Sequence, residues 1–187
     1  MQIPPPADLS ATSRILVYGV TGSGKTTYAA RLAGATGLPW HEADALTWEP
    51  GWVSVPVEEQ RRRIAAIAAS DRWILDTAYG HWRDLVVPRA ELVVALDYSR
   101  ALTFARLLRR TIARSIDKRP ICNGNVESLA HAFTRDSILW WHLTSFGRKQ
   151  QRIAQWCEDP LGPVVVRFRR PREARLWLDA LAACACP

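Results

Sequence analysis

A chain of 187 residues is long enough for one compact core and too short for two. Its 48% hydrophobic and 23% charged content excludes collagen-like, mucin-like and wholly disordered classes. The net charge is +7, and 22 of the 25 cations are arginines, whose planar fork of donors suits phosphate and carboxylate, so a polyanionic partner, nucleotide or nucleic acid, is expected.

The first residues, MQIPPPADLSAT, lack the basic start and apolar core of a secretory signal, and Pro4, Pro5 and Pro6 favour an extended segment. Residues 1–12 are therefore expected to be a disordered tail and residues 13–187 a single domain. RILVY at 14–18 is a β-rich run ending at Gly19, and 25–35 reads as an alanine-rich helix. A short strand is expected near 39–43, and a helix at 57–69 after Pro56. RWILD at 72–76 and ELVVALD at 91–97 are the third and fourth apolar runs, and both end on an aspartate. Residues 100–114 carry Leu102, Ala105, Leu108 and Ile112 on one face and arginines on the others, the pattern of an amphipathic helix.

Residues 115–136, with Pro120, Asn123, Gly124 and Asn125, read as an irregular insertion, and a helix follows from about 137 to 157. Pro163 introduces a fifth strand, VVVRF at 164–168, and Pro171 opens a last helix. Apolar strands separated by helices of this length predict an α/β fold, a parallel sheet covered on both faces. The four cysteines show no CxxC spacing, which argues for reduced thiols in a cytoplasmic protein, and no apolar run approaches the ~18 residues of a membrane span.

GVTGSGKT at 19–26 matches GxxxxGK[ST] in the context that pattern requires, after a strand and opening a helix. Phosphate oxygens must approach backbone N–H groups closely, so side chains are dispensed with at Gly19, Gly22 and Gly24, with Ser23 between them, and the following helix favours the anion. Lys25 is placed to reach the β and γ phosphates, Thr26 to bind Mg²⁺ through its hydroxyl, and Thr27 to lie near the α phosphate. The chain lacks the NKxD and DxxG elements of a GTPase and the length of a motor, so ATP with Mg²⁺ is the expected ligand pair.

These residues resemble the nucleoside-monophosphate-kinase-like P-loop proteins, a group that includes adenylate, shikimate and gluconate kinases. Within it the sequence is most similar to bacterial adenylate-kinase-related and DNA topology modulation (FlaR-type) proteins. The matching pieces are GVTGSGKTTYAARLA at 19–33, LPWHEADALTW at 38–48, WILDTAY at 73–79, LVVALDYSRALTFARLLRRT at 92–111 and SILWWHLTSF at 137–146. Adenylate kinases end the third strand with DGxPR, where this chain has Asp76, Thr77, Ala78 and Tyr79, without the usual glycine and proline beside the AMP site.

The resemblance implies a P-loop NTPase three-layer sandwich with a five-stranded parallel sheet, helices on both faces and residues 115–136 as a short lid. Asp76, at the carboxyl edge of its strand, stands where such sheets place ligands and would hold Mg²⁺ through water opposite Thr26, or serve as a turn or cap residue. Asp44 is the implied acceptor-orienting group or general base, with a turn role as its alternative. Arg106 and Arg110 are four apart on one helix face, and their spacing resembles that of the lid-bordering arginines that contact phosphates in such kinases. Arginines so placed stabilise phosphoryl transfer by factors on the order of 10³–10⁵.

Asp97 reads as a helix cap. Arg83 and Arg89 are candidate contacts for an anionic acceptor, or surface arginines, and Arg135 and Arg148 are candidate phosphate contacts. Trp140 and Trp141 read as packing residues, while Trp48 and Trp52 would wall an acceptor pocket. The histidines have no metal-ligand spacing. The expected function is ATP-dependent phosphate transfer to a nucleoside monophosphate or hydroxylated metabolite. The alternative is an ATP-regulated nucleic-acid-associated protein, suggested by the basic runs at 61–63 and 167–175.

Overall fold

The computed structural model describes residues 12–117, 123–125 and 137–185. In chain order the elements are β1 (Arg14–Gly19), α1 (Lys25–Thr36), β2 (Trp40–His41), α2 (Ala43–Thr47), β3 (Trp48–Glu49), β4 (Val53–Ser54), α3 (Val57–Ala69) and β5 (Trp73–Leu75). They continue with α4 (Arg83–Val86), a 3₁₀ turn (Val87–Arg89), β6 (Leu92–Leu96), α5 (Arg100–Asp117), α6 (Ile138–Glu158), β7 (Val164–Phe168) and α7 (Pro171–Ala185).

Five of the strands form one parallel sheet in the order β2-β5-β1-β6-β7, and β3 and β4 make a separate antiparallel hairpin. The α/β architecture expected from the alternation of elements is the one observed. Near-continuous apolar strands are what a sheet covered on both faces requires, because successive side chains point to opposite sides. Ile15, Val17, Leu92, Val94, Leu96, Val166 and Phe168 enter one core with Tyr28, Ala29 and Leu32 of α1 and Ala174, Trp177, Leu178 and Leu181 of α7. The alternate residues, Leu16, Tyr18, Val93, Ala95 and Val165, enter a second core with Ile64 of α3, Val86 of α4, and Ile153 and Trp156 of α6. Burying one such side chain completely is worth ~1.5–3 kcal/mol.

The chain leaves β1 toward β2 and β5 on one side of the sheet and later returns to β6 and β7 on the other. The carboxyl end of β1 is therefore a topological switch point, where a crevice opens between diverging connections. Helix α5 runs on to Asp117, so the first three residues of the expected insertion at 115–136 are helical. Its remainder lies outside the described residues except for 123–125, and the expected tail lies outside them except for residue 12. Among the described residues no helix is long and apolar enough to cross a membrane.

Candidate active site

At Gly19 and Gly22 the loop after β1 has no room for a side chain, whereas at Gly24 space is open and the φ of +91° is what favours glycine. A β-carbon at Gly19 would stand 2.7 Å from the Leu96 carbonyl oxygen and 2.8 Å from Ser23 Oγ. Gly22 has φ +82°, and a β-carbon there would collide with the Thr103 carbonyl oxygen, so the loop rests directly on the first turns of α5. Helix α1 then begins behind Gly24 with no capping side chain and no acid in its first turn. Its leading N–H groups and positive dipole end are thus left for an anion. Ser23 Oγ is buried in the loop without a hydrogen-bond partner, a polar atom that an incoming phosphate oxygen would satisfy.

Lys25 Nζ donates to the Val20 carbonyl at 3.2 Å, curling over its own loop. Burial pushes its pKa down, Asp44 and Asp76 counter that shift, and Arg110 adds to it. Asp76 follows β5 and is 4% exposed. Its carboxylate accepts the Ala43 N–H at 2.8 Å and a hydrogen bond from the Thr26 side chain. Burial raises the Asp76 pKa, opposed by those two hydrogen bonds and by Lys25.

The Thr26 hydroxyl and the Asp76 carboxylate, together beside the phosphate loop, are hard oxygen donors of the kind Mg²⁺ takes. Among the described residues no three His, Cys, Asp or Glu side chains gather into a metal cage. Asp44, on α2, is exposed, and its Oδ1 accepts a short hydrogen bond from the Tyr79 hydroxyl.

Arg106 and Arg110 do not converge on one point. Arg110 is close enough to Lys25 to depress its pKa. Arg106 stacks over the Tyr98 ring at 5.7 Å and lines a cleft of about 410 Å³ with Ser23, Gly24, Thr27 and Tyr28. Arg31, Arg172 and Arg175 border the same cleft. Its size suits the nucleoside part of a nucleotide whose phosphates lie in the loop.

Several sequence expectations change in three dimensions. Asp97 caps nothing: both Nε and Nη2 of Arg167 reach its Oδ2, at 2.8 and 2.6 Å, Gln150 donates to Oδ1, and Ser99 Oγ accepts the Leu102 N–H instead. Arg89 donates to the carbonyls of Ala68 and Ala69 at the end of α3, capping that helix. Trp140 and Trp141 are 47% and 45% exposed, so neither is a core residue, and Arg148 lies over the Trp141 ring at 5.9 Å. Trp48 and Trp52 pack edge to face at 6.0 Å on the β3–β4 hairpin. Arg135 and Cys122 lie outside the described residues.

Sequence reasoning passed over Lys149, the neighbour of Arg148. Its Nζ donates to the Gly19 carbonyl at 3.4 Å and lies 5.8 Å from the Tyr18 ring centre. Burial, with Lys25 nearby, pulls its pKa down to about 7. One signal pointed to it: the chain has three lysines against 22 arginines, and two of the three, Lys25 and Lys149, meet at the phosphate loop. His142, assigned no role from sequence, is fully buried and pairs with Thr103 Oγ1 at 2.9 Å behind Gly22.

No protein-family model matches the sequence, and no curated protein matches it. Solved structures do. A shikimate kinase from Acinetobacter baumannii in complex with shikimate is similar at a TM-score of 0.55 and 14% identity, over 96% of this chain and 97% of that one. Shikimate kinase from Bacteroides thetaiotaomicron is similar at 0.53 and 15%, over 93% and 98%. A gluconokinase from Sinorhizobium meliloti 1021 has a TM-score of 0.49 at 23% identity, over 93% and 94%. At these identities the likeness is one of fold, and the chain has the five-stranded parallel α/β architecture of P-loop kinases.

Proposed function

We propose that the protein is a MgATP-dependent phosphotransferase whose acceptor is a hydroxyl group on a small molecule. The observation that carries this reading is the meeting of Lys25, the Thr26–Asp76 hydrogen-bonded pair and Asp44 at the carboxyl edge of the sheet. Gly19, Gly22, Ser23, Gly24 and Thr27 form the cradle for the triphosphate. Thr26 and Asp76 would hold Mg²⁺, which would supply charge neutralisation on the phosphates. Lys25 and Arg110 face the charge that spreads over the transferring group, and Arg106 orients the nucleotide from the cleft.

Two carboxylates beside the transfer point favour a hydroxyl acceptor over a phosphate one. A phosphate acceptor is already an anion, needs no base, and would be repelled by Asp44 and Asp76. A hydroxyl must lose its proton. Asp44 accepts it as the acceptor oxygen bonds to the γ phosphorus and the bond from that phosphorus to the β–γ bridging oxygen breaks, releasing ADP. Tyr79 holds one Asp44 oxygen, leaving the other for the acceptor.

We infer further that the chain from residue 13 onward works as one unit related to the adenylate-kinase-related and FlaR-type proteins, as the motifs at 19–33 and 92–111 suggest. The nucleic-acid reading finds less support. Arg61 pairs with Asp84, Arg62 and Arg63 with Glu59, and Arg167 with Asp97, so the first basic run is neutralised within the chain, while Arg172 and Arg175 of the second border the nucleotide cleft. The test is a screen of phosphate transfer from MgATP onto hydroxylated metabolites and nucleoside monophosphates. Transfer to a hydroxyl compound supports the reading, and transfer to nucleoside monophosphates alone rejects it.

A further inference from the structure

Helix α2, which carries Asp44, is five residues long and too short to hold itself in place. The carbonyls that close it and lead into the β3–β4 hairpin run from residue 45 to residue 49, and each is answered by a donor. Those of Ala45 and Trp48 both accept from Asn123 Nδ2, at 2.9 and 2.7 Å. The Leu46 carbonyl accepts from Arg63 Nη1 of α3 at 3.3 Å, and that of Thr47 from the Val55 N–H at 3.0 Å. Glu49 completes the run, its carbonyl accepting from Asn125 Nδ2 at 3.1 Å. Two side chains from the connection between α5 and α6 thus satisfy carbonyls that a helix end leaves open.

The same two residues fix the turn of the hairpin. Gly51 and Trp52 have φ of +79° and +59°, and facing them Asn123 and Gly124 have φ of +60° and +83°. Asparagine and glycine accept the left-handed region, whereas a tryptophan stays there only where its surroundings hold it. Trp52 is held by Asn125, whose Oδ1 accepts the Trp52 N–H at 2.7 Å while its Nδ2 reaches the Glu49 carbonyl. One buried amide, 3% exposed, therefore spans both ends of the turn. An amide does this without bringing a charge toward Asp44, and an aspartate at residue 123 would have no donor for the two carbonyls.

We propose that Asn123 and Asn125 are positioning residues for the transfer step. Asn123 sets the end of α2 and through it the carboxylate of Asp44, and Asn125 sets the turn that carries Trp52. The inference rests on the kinase reading for the role of Asp44, and on the hydrogen bonds for the clasp itself. Neither asparagine acts on the reacting atoms. The acceptor side of the site is completed by the chain that follows α5, the helix of Arg106 and Arg110.

The kinetic test uses the full chain, MgATP and the acceptor found by the transfer screen. Asn123→Gly keeps the positive φ at no steric cost and removes only the amide. It is expected to lower kcat by about tenfold or more, with MgADP affinity within about twofold of wild type. In an Asp44→Asn background the same change should lower kcat by less than about twofold, because the group it acts through is gone. Undiminished kcat in Asn123→Gly overturns the proposal, and so does an equal loss with and without Asp44.

A second readout needs no acceptor: ¹⁹F NMR of protein labelled with 5-fluorotryptophan, the Trp52 resonance being assigned with Trp52→Phe. Asn125→Ala should shift or broaden that resonance while MgADP affinity stays within about twofold, and Asn125→Asp, which keeps an acceptor for the Trp52 N–H, should move it less. An unchanged Trp52 resonance in Asn125→Ala overturns the clasp. Transfer by the wild-type protein together with full kcat in Asn123→Gly rejects the positioning role and leaves the kinase reading standing. A Trp52 resonance altered in Asn125→Ala, in a protein that transfers phosphate to no acceptor, upholds the clasp and rejects the kinase reading.

Discussion

Gly22 lies against the backbone of Thr103, so the phosphate loop and the first turns of α5 are one packed unit. Behind that contact His142 of α6 bonds the Thr103 side chain, while burial keeps its imidazole pKa below the usual value. The loop's conformation is thus set from outside itself, by the helix that also carries Arg106 and Arg110.

Gly22→Ala should therefore cost both stability and ligand affinity. The new β-carbon meets a carbonyl that cannot move without shifting α5, and the positive φ adds strain, together about 1–3 kcal/mol. Thermal unfolding and MgADP calorimetry check this, with an affinity loss of about tenfold or more expected. An unchanged melting temperature would mean that the loop is free of α5.

Asp44→Asn and Asp76→Asn should separate two carboxylates that share one neighbourhood. Asp44→Asn removes the base and is expected to lower kcat by about 10²–10⁴ with MgADP affinity nearly unchanged. Asp76→Asn should instead raise the Mg²⁺ concentration needed for half-maximal turnover. Titrating Mg²⁺ against both variants, with the acceptor found by the transfer screen, distinguishes them.

Lys149 gives a pH prediction with a definite sign. Its folded pKa is near 7 against 10.5 for the free side chain, so between those values the unfolded chain binds more protons than the folded one. The stability cost is absent above about pH 10.5, grows as pH falls through the window, and is complete below about 7. Lys149→Met removes it. The variant should melt higher than wild type by about 2–4 °C at pH 6 for each kcal/mol recovered, and the difference should shrink as pH rises toward 10. A difference independent of pH would show that Lys149 is not the titrating group.

The Asp97–Arg167 pair ties the ends of β6 and β7 together at 2.6 Å, with the aspartate side chain 3% exposed and the arginine 22%. Arg167→Met would strand that carboxylate and should cost about 3–5 kcal/mol, whereas the double change Asp97→Asn, Arg167→Met should recover most of it. Denaturant unfolding of the single and double variants measures both.

The phosphate loop and the five-stranded sheet were legible because each rests on local pattern. A glycine-spaced run between a β-rich segment and an alanine-rich helix has few other readings, and strands buried on both faces show as continuous apolar runs. What escaped depends on distance or on helix phase. Arg148 and Lys149 differ by one position, about 100° around α6, and only packing against β1 decides that Lys149 points inward. The partner of Asp97 is 70 residues away. Helix α2 and the β3–β4 hairpin are too short for periodicity to register, at five residues and two strands of two residues.

The most direct test of the central claim is ³¹P NMR of the purified protein with MgATP and the hydroxyl acceptor found by the transfer screen. A new phosphate-ester resonance should grow in step with ADP, vanish when Mg²⁺ is chelated, and be absent from Lys25→Ala protein that still unfolds cooperatively. An undiminished ester signal from Lys25→Ala, or ATP consumed to inorganic phosphate with no ester formed, would contradict it.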